Sequence, residues 1–205
     1  MILHVKDNIL YESILTARCK NGLVATPVGF IKRGNIIEVK VYKNTALYEA
    51  LRECSTVVLN FTHDPRTFIL LAFKREFGID EHYLHELLHK DEGGILRLRD
   101  CVGYVVAHKM SVDEHDNYII NKYKIEELKP CTSPTVEPFT RCYSQLIEAA
   151  IYASKVKFVD SERKKLYMFL IMNFLSEIVN KTCSSEYARL LEELKVITQR
   201  WLREE

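Results

Sequence analysis

The sequence predicts an α+β fold in which a small antiparallel β-barrel precedes a helical C-terminal domain. Three observations carry that prediction. The first 62 residues alternate apolar and polar side chains between tight Asn and Gly turns, a proline-rich break falls at 129–138, and residues 139–205 keep helical spacing. At 205 residues and 47% apolar content the chain can fill a sizeable core without a metal or cross-links.

Taken in order, residues 12–19, 24–31 and 36–41 read as strands joined by turns at Lys20-Asn21-Gly22 and Arg33-Gly34-Asn35. Asn-Gly between apolar runs is a strong hairpin signal. Leu47, Ala50, Leu51 and Cys54 then recur at i, i+3, i+4 and i+7, so a short helix comes next with one side against the strands. The β-branched run 56–61 is the returning strand. Residues 67–77 are apolar enough for a helix or a buried strand and are read as helix; 81–89 is read as helix with Gly93-Gly94 as its stop. Segments 102–110 and 118–125 flank the polar turn SVDEHDN and form a second hairpin, which closes the sheet into a barrel and removes its edges. The barrel domain is therefore expected over 1–128, and a linker over 129–138, which holds three of the five prolines. The helical domain is expected over 139–205, with helices at 139–156, 161–181 and 184–203.

Charge excludes some functions. Lysines and arginines number 29 against 28 acidic residues, so there is no general attraction for nucleic acid or an anionic membrane, and any anion must be held locally. No apolar run approaches the roughly 20 residues that span a bilayer. The start MILHVKDNILYES lacks the apolar stretch and cleavage site of a signal peptide, so a cytoplasmic location is expected. The six cysteines, at 19, 54, 101, 131, 142 and 183, form no C-x-x-C pair, which argues against a zinc ribbon or a thioredoxin-like dithiol. Buried reduced thiols are the expected state in a mesophile, with an internal disulfide as the alternative in a hyperthermophile.

His85-Glu86-Leu87-Leu88-His89 matches the H-E-x-x-H zinc signature, in which two histidines share a helix face and the Glu activates a metal-bound water. The longer metzincin form fails, because Glu92 stands at the required Gly and Ile95 at the third His. On a helix, Leu84, Leu87 and Leu88 would define the buried face and both histidines would point away from it, so a solvated charged face is the reading and a zinc hydrolase the remote alternative.

The junction VYKNTALYEALREC raises a different possibility. A strand ends where a helix begins, and a helix start exposes unpaired N–H groups and a positive dipole end that favour a phosphate. Thr45 offers a hydroxyl and Lys43 a charge there; with Thr45 as N-cap, the third helical position is Tyr48, so no reciprocal capping box consumes the amides. The plainer alternative is that Asn44 or Thr45 only caps the helix.

The runs YESILTARCKNGLVATPVGF, VYKNTALYEALRE and VVLNFTHDP, then PFTRCYSQLIEAAIYASKV, resemble in order an archaeal family of uncharacterised flavoproteins, DUF447. That resemblance implies an FMN-binding split β-barrel with a C-terminal helical domain, acting as a homodimer with FMN in a groove between subunits. It implies that Ala25, Thr26, Pro27 and Val28, with Gly29, face the isoalloxazine ring, and that Lys43, Asn44 and Thr45 form the phosphate loop. Asn60, Thr62 and Asp64 match the polar end of the returning strand, and Arg141 a basic residue opening the helical part. Leu47 and Ala50 depart from the pattern, which has Thr and Asn there. A flavin-dependent reductase of unknown substrate is the implied activity; a non-catalytic interaction module that has lost flavin is the alternative, with the C-terminal helices as its surface.

Overall fold

A computed structural model of the chain describes residues 5, 7, 8, 10–20, 22–91, 93–131 and 141–203. Its elements are β1 (Leu10–Cys19), β2 (Gly22–Arg33), β3 (Ile36–Tyr42), α1 (Ala46–Arg52), β4 (Thr56–Phe61), α2 (Pro65–Ala72) and α3 (Glu81–Leu87). They continue with β5 (Leu88–Lys90), β6 (Leu96–Leu98), β7 (Gly103–Glu114), β8 (Tyr118–Pro130), α4 (Arg141–Val156), α5 (Glu162–Thr182) and α6 (Ser185–Trp201). Two compact units result, one of Met1–His63 with Ile79–Thr135, the other of Asp64–Gly78 with Val136–Glu205.

In the first unit, six strands close an antiparallel barrel in the order β1-β2-β3-β8-β7-β4. Side chains alternate across each strand, so every second residue points inward: Leu15 and Ala17, Val28 and Phe30, Ile37 and Val39, Val57 and Leu59, Val105 and Ala107, Ile119 and Tyr123. The closure is uneven. β2 pairs with β1 through residues 22–31, from Leu10↔Ile31 to Cys19↔Gly22, yet meets β3 only through residues 30–33. Residues 22–29 therefore run along a split in the wall.

Two sequence expectations change here. The helix expected over 81–89 stops at Leu87, because Leu88 turns extended (φ −99, ψ 149) and pairs with Leu98. The short β5–β6 hairpin beyond it buries Leu88, Leu96 and Leu98, so Gly94, at φ 81, belongs to its turn rather than to a helix stop. Strand β7 also runs on to Glu114, past a register shift between Lys109 and Ser111, which leaves residues 115–117 as the turn, closed by the His115 amide donating to Tyr118 O at 3.0 Å.

In the second unit, α2 packs on α4, and α4, α5 and α6 pack on one another. A continuous 1–128 barrel domain is thus not what the fold makes. Helix α2, which buries Phe68, Ile69, Leu70 and Leu71, groups with the C-terminal helices instead. Strand β8 reaches Pro130 and so takes in the first two residues of the expected linker; 132–140 lie outside the described residues.

The expectation of reduced thiols is overturned. All six cysteines pair, as Cys19–Cys54, Cys101–Cys131 and Cys142–Cys183, with Cα separations of 5.2, 5.9 and 5.0 Å, inside the range a disulfide can bridge. Among the described residues no helix is long and apolar enough to cross a membrane.

Candidate functional site

Pro27 occupies a position where its missing N–H costs no ladder bond. The Asn60 amide donates to Ile14 O at 2.9 Å, so the backbone polar groups of Ile14 face β4. Its opposite number Pro27 therefore turns its nitrogen away from β1, towards the split. The register through 25–29 is unbroken, so this stretch is an edge and not a bulge. Val28 and Ala25 are buried, whereas Thr26, Pro27 and Gly29 are half-buried. The Ser13 hydroxyl donates to Val28 O at 3.3 Å and pins the strand to β1.

Helix α1 packs against β2 and β3 and is fixed at both ends. Thr45 is its N-cap (φ −118, ψ 149); its hydroxyl accepts from the Tyr48 amide at 3.3 Å and donates to Tyr42 O at 2.7 Å. By helix geometry the amides of Ala46 and Leu47 have no intrahelical acceptor. Asn44 is exposed beside them. At the far end the Lys109 ammonium donates to Leu51 O at 2.7 Å, and the Cys54–Cys19 disulfide fastens the residues after the helix to the end of β1. Burial pushes the Lys109 amine below its ordinary pKa.

Not every predicted residue joins this region. Lys43 reaches the β7–β8 turn: its ammonium pairs with Glu114 at 2.8 Å, a hydrogen bond that raises its pKa, and its amide donates to Asn117 O at 3.1 Å. The sequence reading missed Glu114, whose only signal was the acidic character of SVDEHDN. Asn60 is a correction. It is fully buried, its NH2 donates to Ile14 O and Thr16 Oγ1 at 2.9 Å each, and its oxygen accepts from the Leu98 amide at 2.8 Å. With Thr16 donating to Leu96 O at 2.5 Å, it ties β6 to the barrel, and both ends of its amide are engaged within the protein. Thr62 is half-buried just past β4, and Asp64 caps α2, accepting from the amides of Arg66 and Thr67 at 3.0 and 3.1 Å. Arg141 opens α4, but its side chain lies outside those described.

The zinc alternative loses its helix. His85 is on α3 and His89 on β5, so the two do not share a helical face; His85 instead lies 3.7 Å from Glu81, and His82 3.6 Å from Glu86. Among the described residues no three His, Cys, Asp or Glu side chains gather as a metal site. A second buried polar feature also escaped the sequence reading. Inside the barrel, both amide atoms of Asn121 and the Tyr123 hydroxyl are buried without a partner, and burial holds the Tyr123 phenol above its ordinary range.

A closed six-stranded antiparallel barrel whose wall splits beside the second strand is the split-barrel fold, which flavin reductases also have. The flavin reductase HpaC, solved with NADP+, is similar over 64% of this chain and 82% of its own, with a TM-score of 0.53 and 19% identity. BorF, the flavin reductase component of a bacterial two-component tryptophan halogenase, is similar over 60% and 82%, with a TM-score of 0.52 and 12% identity. The particular family is set by the sequence: residues 11–130 match the N-terminal domain of the protein of unknown function family DUF447, and the chain belongs to that family. The FMN-bound DUF447 protein MM1853 from Methanosarcina mazei is similar over 90% of this chain and 93% of its own, with a TM-score of 0.72 and 13% identity. At such identities the likeness is one of fold. No curated protein matches the chain.

Proposed function

We propose that this protein binds FMN non-covalently and serves as a flavin-dependent reductase, acting as a homodimer whose second copy closes the flavin groove. The observation that carries the reading is the β2 edge: residues 22–29 lie along a split in a barrel whose fold is shared with an FMN-bound relative. The backbone at Ala25, Thr26, Pro27 and Val28 takes the ring, and Gly29 leaves room for a flat ligand. The Ala46 and Leu47 amides with Asn44 take the phosphate, Thr45 sets their orientation as the cap, and Lys43 adds charge by exchanging Glu114 for it. Thr62 is retained as a polar contact at the end of β4. Bound flavin supplies the electron and hydride chemistry, while this chain binds it and orients it. The working compartment is the cytoplasm; three disulfides suit a hyperthermophilic one.

A non-catalytic module that has lost flavin is the second reading, favoured by the Lys43–Glu114 pair and by apolar Leu47 and Ala50 where the family pattern is polar. Purified protein titrated with FMN separates the two. The flavin reading expects saturable changes in the visible flavin bands at one FMN per chain; unchanged bands in excess FMN favour the module.

A further inference from the structure

Helix α5 leaves one side uncovered. Leu166, Tyr167, Leu170 and Phe174 are 56, 65, 56 and 63% exposed, while Met172, Leu175 and Val179 on its other side are buried. A continuous stripe of large apolar side chains marks a surface that something covers. Two features say what. The ends of the stripe carry opposite charges, with exposed Arg163 one turn before Leu166 and exposed Glu177 one turn after Phe174. An open hollow of about 500 Å³, lined by Ser161, Arg163, Lys164, Leu166, Tyr167 and Leu170, lies on the N-terminal half, while the protruding Phe174 lies on the C-terminal half.

Both features are self-complementary about one point. An antiparallel second copy with its two-fold axis at Leu170 sets Arg163 against the partner's Glu177, Leu166 and the hollow against the partner's Phe174, and Leu170 against itself. Knob meets hole and cation meets anion on both sides of the axis. We propose that α5 is a self-docking surface, through which two copies of this chain associate with antiparallel α5 helices. The proposal does not rest on flavin binding.

Light scattering of the full chain across a concentration series tests it. The wild type is expected above monomer mass, and Leu170→Asp, which places two carboxylates on the axis, is expected to weaken association by roughly 100-fold. Glu177→Arg weakens it by about tenfold, and Arg163→Glu with Glu177→Arg restores it. Circular dichroism checks that each variant stays folded; if Leu170→Asp does not, the charge exchange decides. A monomeric wild type, a folded Leu170→Asp protein of wild-type mass, or a double variant as weak as the single overturns the proposal. So does a monomeric wild type that sediments with phosphatidylserine vesicles, which would make the stripe a lipid surface.

Discussion

At the end of β4, Asn60 is fully buried and each of its amide groups has a protein partner, in β1 and β6 as well as in its own strand. At the start of α1, by contrast, the one side chain that caps the helix satisfies a single amide, that of Tyr48, and Asn44 stands exposed. Both stretches carry residues that the DUF447 resemblance points to. The difference shows that a polar residue in a family motif can be an internal fastener, while at α1 the backbone amides of Ala46 and Leu47 keep no intrahelical acceptor.

Replacing Asn60 sets the two regions furthest apart. Asn60→Leu strips partners from Ile14 O, Thr16 and the buried Leu98 amide, and is expected to cost about 4 kcal/mol in chemical denaturation, from three buried hydrogen bonds at 1–1.5 kcal/mol each. FMN affinity of the folded protein should not change; a loss of affinity with unchanged stability would move Asn60 into the site. The other buried asparagine serves as the control. Asn121→Leu removes an amide with no partner, so its stability is expected to be unchanged or higher.

Opening Cys19–Cys54 comes next. The bridge closes a separation of 35 residues, and Cys19→Ser with Cys54→Ser is expected to cost about 3 kcal/mol, read from the denaturation midpoint. A smaller effect, confined to binding, sharpens the comparison most. Ala46→Pro is compatible with the first helical position and with the extended Thr45 before it (φ −118, ψ 149), but it deletes one amide donor. Stability should stay within about 0.5 kcal/mol while FMN affinity falls about tenfold, the loss of one hydrogen bond to a charged group.

The smallest expected effect lies in the helical unit. Burial alone would raise the Glu192 carboxyl, but the hydrogen bond from Ser176 at 2.7 Å and the pair with Lys195 at 3.0 Å outweigh it and hold the group below its ordinary value of 4.5. A carboxyl depressed on folding stabilises above its unfolded pKa, and that contribution is lost as pH falls through the folded one. Glu192→Gln should therefore lower stability slightly across the neutral range, where the charged carboxylate contributes, and leave it nearly unchanged at acid pH, so that the acid limb below pH 4.5 flattens, as a set of thermal melts would show.

Much of the barrel was legible because its signals are local. β-Branched content placed 56–61 as a strand with the bounds it has, and Thr45 caps the helix that Leu47, Ala50 and Leu51 announce. What was not legible depends on distant partners. The β5–β6 hairpin has strands of three residues, too short to show a period, and is held by Asn60 and Thr16 from other strands. The cysteines pair across 30 to 41 residues, a geometry that exists only once the elements have packed. Motif resemblance could not separate Asn60 from the ligand groups either, since a buried fastener and a binding residue look alike in one sequence.

Titration of the wild type with FMN and with riboflavin, which lacks the phosphate, tests flavin docking at α1 most directly. If the phosphate rests on the Ala46 and Leu47 amides, FMN binds at least about 100-fold more tightly than riboflavin, from two charge-assisted hydrogen bonds, and Ala46→Pro narrows the gap. Equal affinity for the two flavins, or no affinity for either, contradicts it.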